Sequence, residues 1–348
     1  MTLPPDDFKN IDPDPSDLAK GDLDRGDLDM GMLDEKVTQP LKVQDSPQHD
    51  DMPTIVLPMQ LSSLEESART DVGQQREHNE DFFSLSTQIT KAERPSGRMV
   101  QGRGVYILCD GMGGHAGGEV ASQLAVQTLQ SFFQDYWATQ ESTQSAPGWN
   151  TLSSQLPPST VIRKGIHLAN QAIYDRNQDD ARMGNGRMGT TLVLVILCGT
   201  SVAVAHVGDS RVYRYTRKRG LEQVTTDHEV GQREIQRGVD PEIAYSRMDA
   251  YQLTQALGPR DESYVEPDVQ FVELAEDTLL LLASDGLTDN GLLETHWQTH
   301  LDPMMSSQMS LDQGVRQLVD LANEVNGHDN ITAIAIRAKV RPNLDQLR

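Results

Sequence analysis

Apolar positions along this chain recur with two periods, and the two periods sort it into helices and strands. Over Glu119–Trp137 and Thr160–Arg176 they return at helical spacing, the second stretch carrying Ile162, Ile166, Ala169 and Ile173 on one face, and Leu311–Val325 repeats the pattern. Thr190–Leu197, Ser201–Val207, Val212–Tyr215, Thr278–Ala283 and Ile331–Val340 are instead short runs rich in threonine and β-branched residues, which predicts strands. The first two of these are separated only by Cys198, Gly199 and Thr200, so they predict an antiparallel hairpin. Antiparallel strands with separate helices point to an α+β fold. Two stretches fall outside the pattern: Gln140–Pro158 is polar and contains proline, which predicts a surface insertion, and His228–Tyr251 is charged throughout.

Residues 1–60 carry 14 acidic and 5 basic side chains with scattered proline and almost no aromatic residue. Such a segment cannot bury enough apolar surface to offset its chain entropy, so it predicts a disordered acidic tail ahead of a globular domain at 61–341. Within the tail, Ser16, Gly21, Gly26 and Gly31 each open a five-residue unit with leucine at its centre. Four such units make too short a coil to stack a core, and the spacing lacks the glycine and terminal glutamate of a calcium loop. The tail is therefore expected to serve docking or regulation.

Composition narrows the function classes. A net charge of −22 would repel a phosphate backbone, which argues against a nucleic-acid partner and favours divalent cations. Only two cysteines occur, Cys109 and Cys198, both in apolar runs, as expected of reduced core residues. No apolar run reaches the ~20 residues a bilayer span needs, and the start Met1-Thr-Leu-Pro-Pro-Asp-Asp7 has neither a basic region nor an apolar core. These features predict a cytoplasmic protein without a membrane partner.

The candidate chemistry lies where apolar runs end in carboxylates. Val105–Leu108 delivers Asp110 into the glycine-rich turn Asp110-Gly-Met-Gly-Gly-His115. A buried strand holds the carboxylate stiffly, and glycine lets the backbone bend and offer a carbonyl oxygen to the same cation. Asn79-Glu80-Asp81, Ser284-Asp285-Gly286 and Asp329-Asn330 lie in similar settings. Taken singly, each is equally readable as an ordinary Asp-Gly or Asp-Asn turn.

Taken in order they resemble the metal-dependent, type 2C protein serine/threonine phosphatases, in their bacterial form. The matching segments are Gly73–Asp81, Asp110–His115, Met188–Thr191, Val207–Arg211, Thr226–His228, Leu253–Gly258, Ser284–Gly286 and Asp329–Thr332. The resemblance implies a four-layer αββα sandwich of two antiparallel sheets flanked by helices, with His228–Tyr251 as the family's flap beside the active site. It also implies hydrolysis of phosphoserine and phosphothreonine in protein substrates by a hydroxide held between two Mg²⁺ or Mn²⁺ ions. Asp110 would bridge the ions, Asp285 and Asp329 would complete one, and the Gly111 carbonyl with Glu80 and Asp81, directly or through water, the other. Zinc is disfavoured, because the Cys and His residues are not spaced as a tetrahedral set.

Arg76 is the candidate phosphate clamp, since a guanidinium fork matches phosphate oxygens in pairs; the alternative is a surface ion pair with Glu77 or Glu80. Asp81 is grouped with it as catalytic. His115 reads either as a proton donor or as a structural hydrogen-bonder. The chain departs from eukaryotic relatives in having Met112, which cannot donate a proton, after Asp110-Gly111. It also has Gly184-Asn-Gly-Arg187 where bacterial relatives often carry an acidic ligand, so Arg187 argues against a third ion unless it turns outward and Asp179 or Asp180 folds in. Asp209 reads as a structural carboxylate within a self-satisfying Asp-Ser-Arg turn.

Overall fold

Central strands buried on both faces stack as two sheets. The computed structural model describes residues 57–94, 97–113, 117–143, 155–306 and 308–344. Its strands are β1 (Met59–Asp71), β2 (Asp81–Arg94), β3 (Gly97–Met112), β4 (Gly189–Thr190), β5 (Leu192–Cys198), β6 (Ser201–Val207), β7 (Arg211–Thr216), β8 (Gly220–Gln223), β9 (Asp268–Glu273), β10 (Thr278–Ala283) and β11 (Ile331–Pro342). The helices are α1 (Gly117–Thr143), α2 (Ser159–Asp179), α3 (Val230–Gln236), α4 (Pro241–Tyr245), α5 (Asp285–Thr288), α6 (Leu292–Met305) and α7 (Leu311–Val325). One sheet runs β1-β11-β10-β7-β8 and the other β2-β3-β5-β6-β9, with β4 added beside β3. The strand pairings are antiparallel.

The period-2 side-chain pattern assigns every buried strand residue to a layer. In β3, Val105, Ile107 and Cys109 face α1 and α2, while Tyr106 and Leu108 face the opposite sheet. In β10, Leu279, Leu281 and Ala283 pack under α6 and α7, while Leu280 and Leu282 meet the first group across the sandwich with Ile334 and Ile336 of β11. This is the four-layer αββα arrangement, with three apolar layers.

The same parity positions the chemistry. Asp110 continues the inward set Tyr106, Leu108, and Asp81 pairs directly opposite it across β2 and β3. Thr332 continues the inward set of β11, and Ser284 follows the inward Leu282 of β10. The inter-sheet layer therefore turns polar at one end, where strands from both sheets stop.

Several expectations shift. The predicted strand Thr190–Leu197 is broken at Thr191, which leaves the ladder because its N–H donates to the Asp110 carbonyl (2.8 Å) while its hydroxyl accepts from the Asp110 N–H (3.1 Å). The strands β1, β2 and β9 and the helix α6 were not predicted. β1 begins at Met59, two residues ahead of the expected domain start at 61, and pairs with β11 from Met59↔Pro342 to Asp71↔Ile331. The predicted insertion opens in helix, since α1 continues to Thr143. The charged stretch His228–Tyr251 contains α3 and α4 and closes on itself through a bridge between Glu229 and Leu253. The expected tail, residues 1–56 of it, and His115 lie outside the described residues. Cys109 and Cys198 are buried free thiols. Among the described residues, no helix is long and apolar enough to cross a membrane.

The pairing of β1 with β11 fixes where the domain can be cut. Removal of residues 1–56 is expected to leave the circular-dichroism spectrum and melting midpoint nearly unchanged, because the segment's composition gives it little apolar surface to contribute. Removal of residues 1–71 is expected to abolish the cooperative melt, since it strips an edge strand that covers β11 and buries Leu61 and Leu64. Equal melting of both shortened chains would place β1 outside the cooperative unit.

Candidate metal centre

Two backbone segments form the rim of the polar end, and a single side chain ties them together. Asn330, 3% exposed, donates to the carbonyls of Val72 (2.9 Å) and His78 (3.0 Å) and accepts from the Glu80 N–H (2.8 Å). Gln74 N–H donates to the Gly327 carbonyl at 2.8 Å, which closes the same junction from the other side. Gly73 adopts φ +76°, and a Cβ there would lie 2.1 Å from the Asp329 carbonyl oxygen, so the close approach requires glycine. The turn carrying Arg76 is thus set against Asp329, and Arg76 Nη2 donates to Asp329 Oδ2 at 2.6 Å. Arg76 therefore pairs with Asp329 rather than with Glu77 or Glu80.

The carboxylates meet below that rim. Asp285, which opens α5, is the strongest like charge acting on Asp110. Asp81, 5% exposed, accepts from the Ser284 hydroxyl at 2.8 Å, and the same hydroxyl oxygen accepts from the Thr332 N–H at 2.9 Å. Glu80 lies against the start of α1, where the Gly118 N–H is directed at its carboxylate. Gly111, opposite Thr190 in the β3–β4 pair, donates its N–H to the Glu80 carbonyl at 3.1 Å. A Cβ on Gly111 would come within 2.2 Å of the Gly118 carbonyl oxygen, so α1 can approach the strand end only over glycine. Arg76, Glu80, Asp81, Asp110, Gly111, Asp285 and Asp329 are thus brought into one constellation.

Burial and mutual repulsion dominate its electrostatics. Desolvation, opposed by hydrogen bonds from Ser284 and Thr332 and reinforced by Asp285 and Asp329, pushes Asp81 up to about 7. Asp285 is likewise pushed up to about 7, by desolvation first and then by Asp209, Asp329 and Asp289. Asp110 is raised well above the usual carboxylate range for the same reasons, with Asp285, Asp81 and Asp209 its nearest like charges. Such a set destabilises itself unless positive charge is added.

The donor set fits a divalent cation. Asp81 Oδ1 and Asp285 Oδ1 are buried with no hydrogen-bond partner among the described residues. All the converging ligands are oxygens, as hard octahedral ions such as Mg²⁺ and Mn²⁺ prefer. Asp81, Asp110, Glu80, Asp285 and Asp329 are the residues that would hold such ions.

Within the Asp-Ser-Arg turn Asp209 has its own backbone N–H as a hydrogen-bond donor, while Arg211 grips Asp227, with Nε and Nη2 donating to Oδ2 at 2.9 and 2.7 Å. Asp209, pushed up to about 7 by desolvation and by Glu229 and Asp227, adds its charge to Asp110 and Asp285. It ends the apolar run of β6 much as Asp110 ends that of β3, a signal legible in the sequence. Arg187 donates to the Pro259 carbonyl at 2.7 Å and lies by the Tyr174 ring, so its guanidinium is committed elsewhere. Asp180 pairs with Arg176 and Arg182, and Asp179 lines a surface groove between α1 and α2.

His206, His228 and Asp268 form a second group of metal-type side chains, with ligand atoms within 4.8 Å of one another. Its hydrogen bonds read differently. His228 Nδ1 accepts from the Gly208 N–H (3.2 Å), so the neutral ring carries its proton on Nε2, facing Asp268; His206 Nε2 donates to the Thr226 carbonyl (2.7 Å). Both nitrogens nearest Asp268 are N–H donors, and the group is a hydrogen-bonded link between β6, β9 and the segment leading into α3.

Comparisons with known proteins point to one family. The family model described as protein phosphatase 2C matches residues 95–321. Protein phosphatase PhpP of Streptococcus pneumoniae is 31% identical over 280 residues, covering 78% of this chain and 97% of that protein. The serine/threonine phosphatase stp of Listeria welshimeri is 34% identical over 271 residues, 77% of this chain and 93% of its own. The crystal structure of the catalytic domain of the phosphatase PstP with two manganese ions superposes with a TM-score of 0.56 at 26% identity, over 81% of this chain and 99% of that one.

The raised carboxylates set a pH dependence. A carboxyl with a folded value above its ordinary 3.8 carries no penalty at low pH, and destabilises the fold progressively as pH rises through the window from about 4 to about 7. In chelator the melting midpoint is therefore expected to fall between about pH 4 and about pH 7, and the stabilisation added by Mg²⁺ or Mn²⁺ to grow over the same interval. A gap between metal-loaded and chelated midpoints that stays constant across that interval would show that these carboxylates do not govern stability.

Proposed function

This chain belongs to the protein phosphatase 2C family and is a protein serine/threonine phosphatase, and from that premise we propose that it removes phosphate from phosphoserine and phosphothreonine in protein substrates at a centre holding two Mg²⁺ or Mn²⁺ ions. The observation that carries the reading is the convergence of Asp81, Asp110, Asp285 and Asp329 at one end of the inter-sheet layer, with orphaned carboxylate oxygens and Arg76 as the ion-paired cation at its rim. The bound ions supply charge neutralisation of the phosphate and a water acidic enough to act as nucleophile at neutral pH.

The chain's own residues do the rest. Arg76 has 47% of its side chain exposed although one edge is tied to Asp329, so its outer edge is free to take two phosphate oxygens and fix the phosphorus in line with the attacking oxygen. Asp81, one buried oxygen held by Ser284 and the other unpaired, accepts a proton or orients a water without moving. Attack forms the new P–O bond as the bond to the seryl or threonyl oxygen breaks, and that oxygen leaves as an alkoxide needing a proton. Met112 has none to give, so the proton comes from water. We place the activity in the cytoplasm, where free thiols such as Cys109 and Cys198 stay reduced, and assign the acidic residues 1–60 to a docking partner.

Purified protein is expected to release phosphate from a phosphothreonine peptide only with Mg²⁺ or Mn²⁺; full activity in excess chelator would overturn the mechanism. Asp285→Asn and Asp329→Ala are expected to abolish turnover while leaving circular dichroism intact. Arg76→Ala should lower kcat/KM by ~10- to 1,000-fold, for a lost charge-assisted contact of about 1.5 to 3 kcal/mol plus misalignment. Turnover of small aryl phosphates without any phosphopeptide activity would transfer the site to a different substrate class.

A further inference from the structure

Against the middle of β3, a cavity of about 210 Å³ lies between the sheet and the C-terminal half of α1. Arg103, on its wall, precedes Asp110 by seven residues of continuous strand, roughly 23 Å at strand rise, so the cavity is separate from the phosphatase site. Arg103, Gln88, Phe133, Trp137 and Glu141 line it.

Its polar groups are unusual for a packing defect. Arg103 is only 6% exposed, with its guanidinium 4.6 Å from the centre of the Trp137 ring. It donates from Nη2 to Gln88 Oε1 at 2.5 Å and from Nη1 to Glu141 Oε1 at 2.9 Å. Trp137 is 4% exposed, and its indole Nε1–H is buried without an acceptor among the described residues. A buried donor with no partner is costly to leave, and here it stands beside a buried cation. The carboxylate neutralising that cation, Glu141, is 47% exposed and so exchanges at little cost. Val105, Phe133, Trp137 and Ala138 supply an apolar surround. A dry cavity of about 150 Å³ is enough to hold a benzene ring, and this one is larger.

We propose that this cavity binds a small aromatic monocarboxylate. One carboxylate oxygen takes the Arg103 guanidinium in place of Glu141, the other accepts the Trp137 indole N–H, and the ring packs against Phe133 and Val105. The guanidinium supplies the charge-assisted contact and the indole N–H the directional one. Glu141 acts as a built-in competitor that holds Arg103 when the ligand is absent.

The test uses benzoate as the probe and the full ¹⁵N-labelled chain. The chain has three tryptophans, so the proton–nitrogen spectrum has at most three indole cross-peaks, and Trp137→Phe identifies the one that matters while keeping an aromatic ring in the core. Benzoate is expected to shift the Trp137 peak saturably and to leave the other two in place. Trp137→Phe should weaken binding about 10-fold for the lost hydrogen bond to a charged group, and Glu141→Gln should tighten it several-fold by removing the competitor. Thermal melting of both variants checks that they are folded. Absence of a saturable Trp137 shift up to ~20 mM benzoate would overturn the proposal. So would benzyl alcohol binding as tightly as benzoate, or Glu141→Gln weakening the interaction, since either result removes the carboxylate from the recognition.

Discussion

The structure depends on carboxylates that repel one another being held in one place. Asp81 and Asp110 are fixed as opposite partners across β2 and β3, and Asp285 is fixed by the end of β10 and the start of α5, so none can swing apart to relieve the charge. Apolar layers on both sides of each sheet supply the rigidity. An interior packed like a crystal transmits position instead of yielding to it, and the strain stays at the strand ends as raised carboxyl values rather than spreading into the backbone. The fold thus stores a demand for positive charge, and two divalent ions are an economical way to meet it with hard oxygen ligands.

That demand explains the rim above the carboxylates. A phosphate clamp needs a guanidinium that is close to the ions yet not consumed by the acids beneath. Asp329 holds Arg76 by a single edge, and the position of Asp329 is in turn set by its neighbour Asn330, which bonds three backbone groups of the facing turn. Replacing either anchor with a freely rotating side chain would let Arg76 fold down onto Glu80 or Asp110, both already within its electrostatic reach. Orientation of Arg76, the proposed clamp, is therefore a property of the junction between residues 72–80 and 326–330, segments some 250 positions apart in the sequence.

The central strands and the metal-type acids were readable before any coordinates, and the reason is physical. β5, β6, β10 and β11 are buried on both faces, so their apolar runs are nearly continuous. The edge strands β1 and β2 are half solvated, and a sequence such as Met59-Gln-Leu-Ser-Ser-Leu-Glu-Glu carries too little apolar periodicity to separate from loop. The helix α6 was hidden by Pro303 and by its two histidines. The sequence offers Arg211 as a local partner for Asp209, and only the fold reveals that Arg211 is taken by Asp227. Nothing in the chain's order predicts that Pro259 lies within reach of Arg187. Local spacing identifies a group's chemistry, while the competition among partners for that group is settled by tertiary contacts.

The same competition accounts for the pair of glycines under Glu80. Bringing the first turn of α1 against the strand end lets the Gly118 N–H face the Glu80 carboxylate, a favourable position for an anion at a helix N-terminus. That contact lowers the cost of burying Glu80, yet desolvation remains the larger effect and its carboxyl stays raised. The approach is possible only because neither Gly111 nor Gly118 has a Cβ: one on Gly118 would sit 2.7 Å from the Glu80 carboxyl carbon. Glycine here serves distance more than turn geometry, because a methyl group at either position would push α1 away from β3 and remove the N–H that partly compensates Glu80.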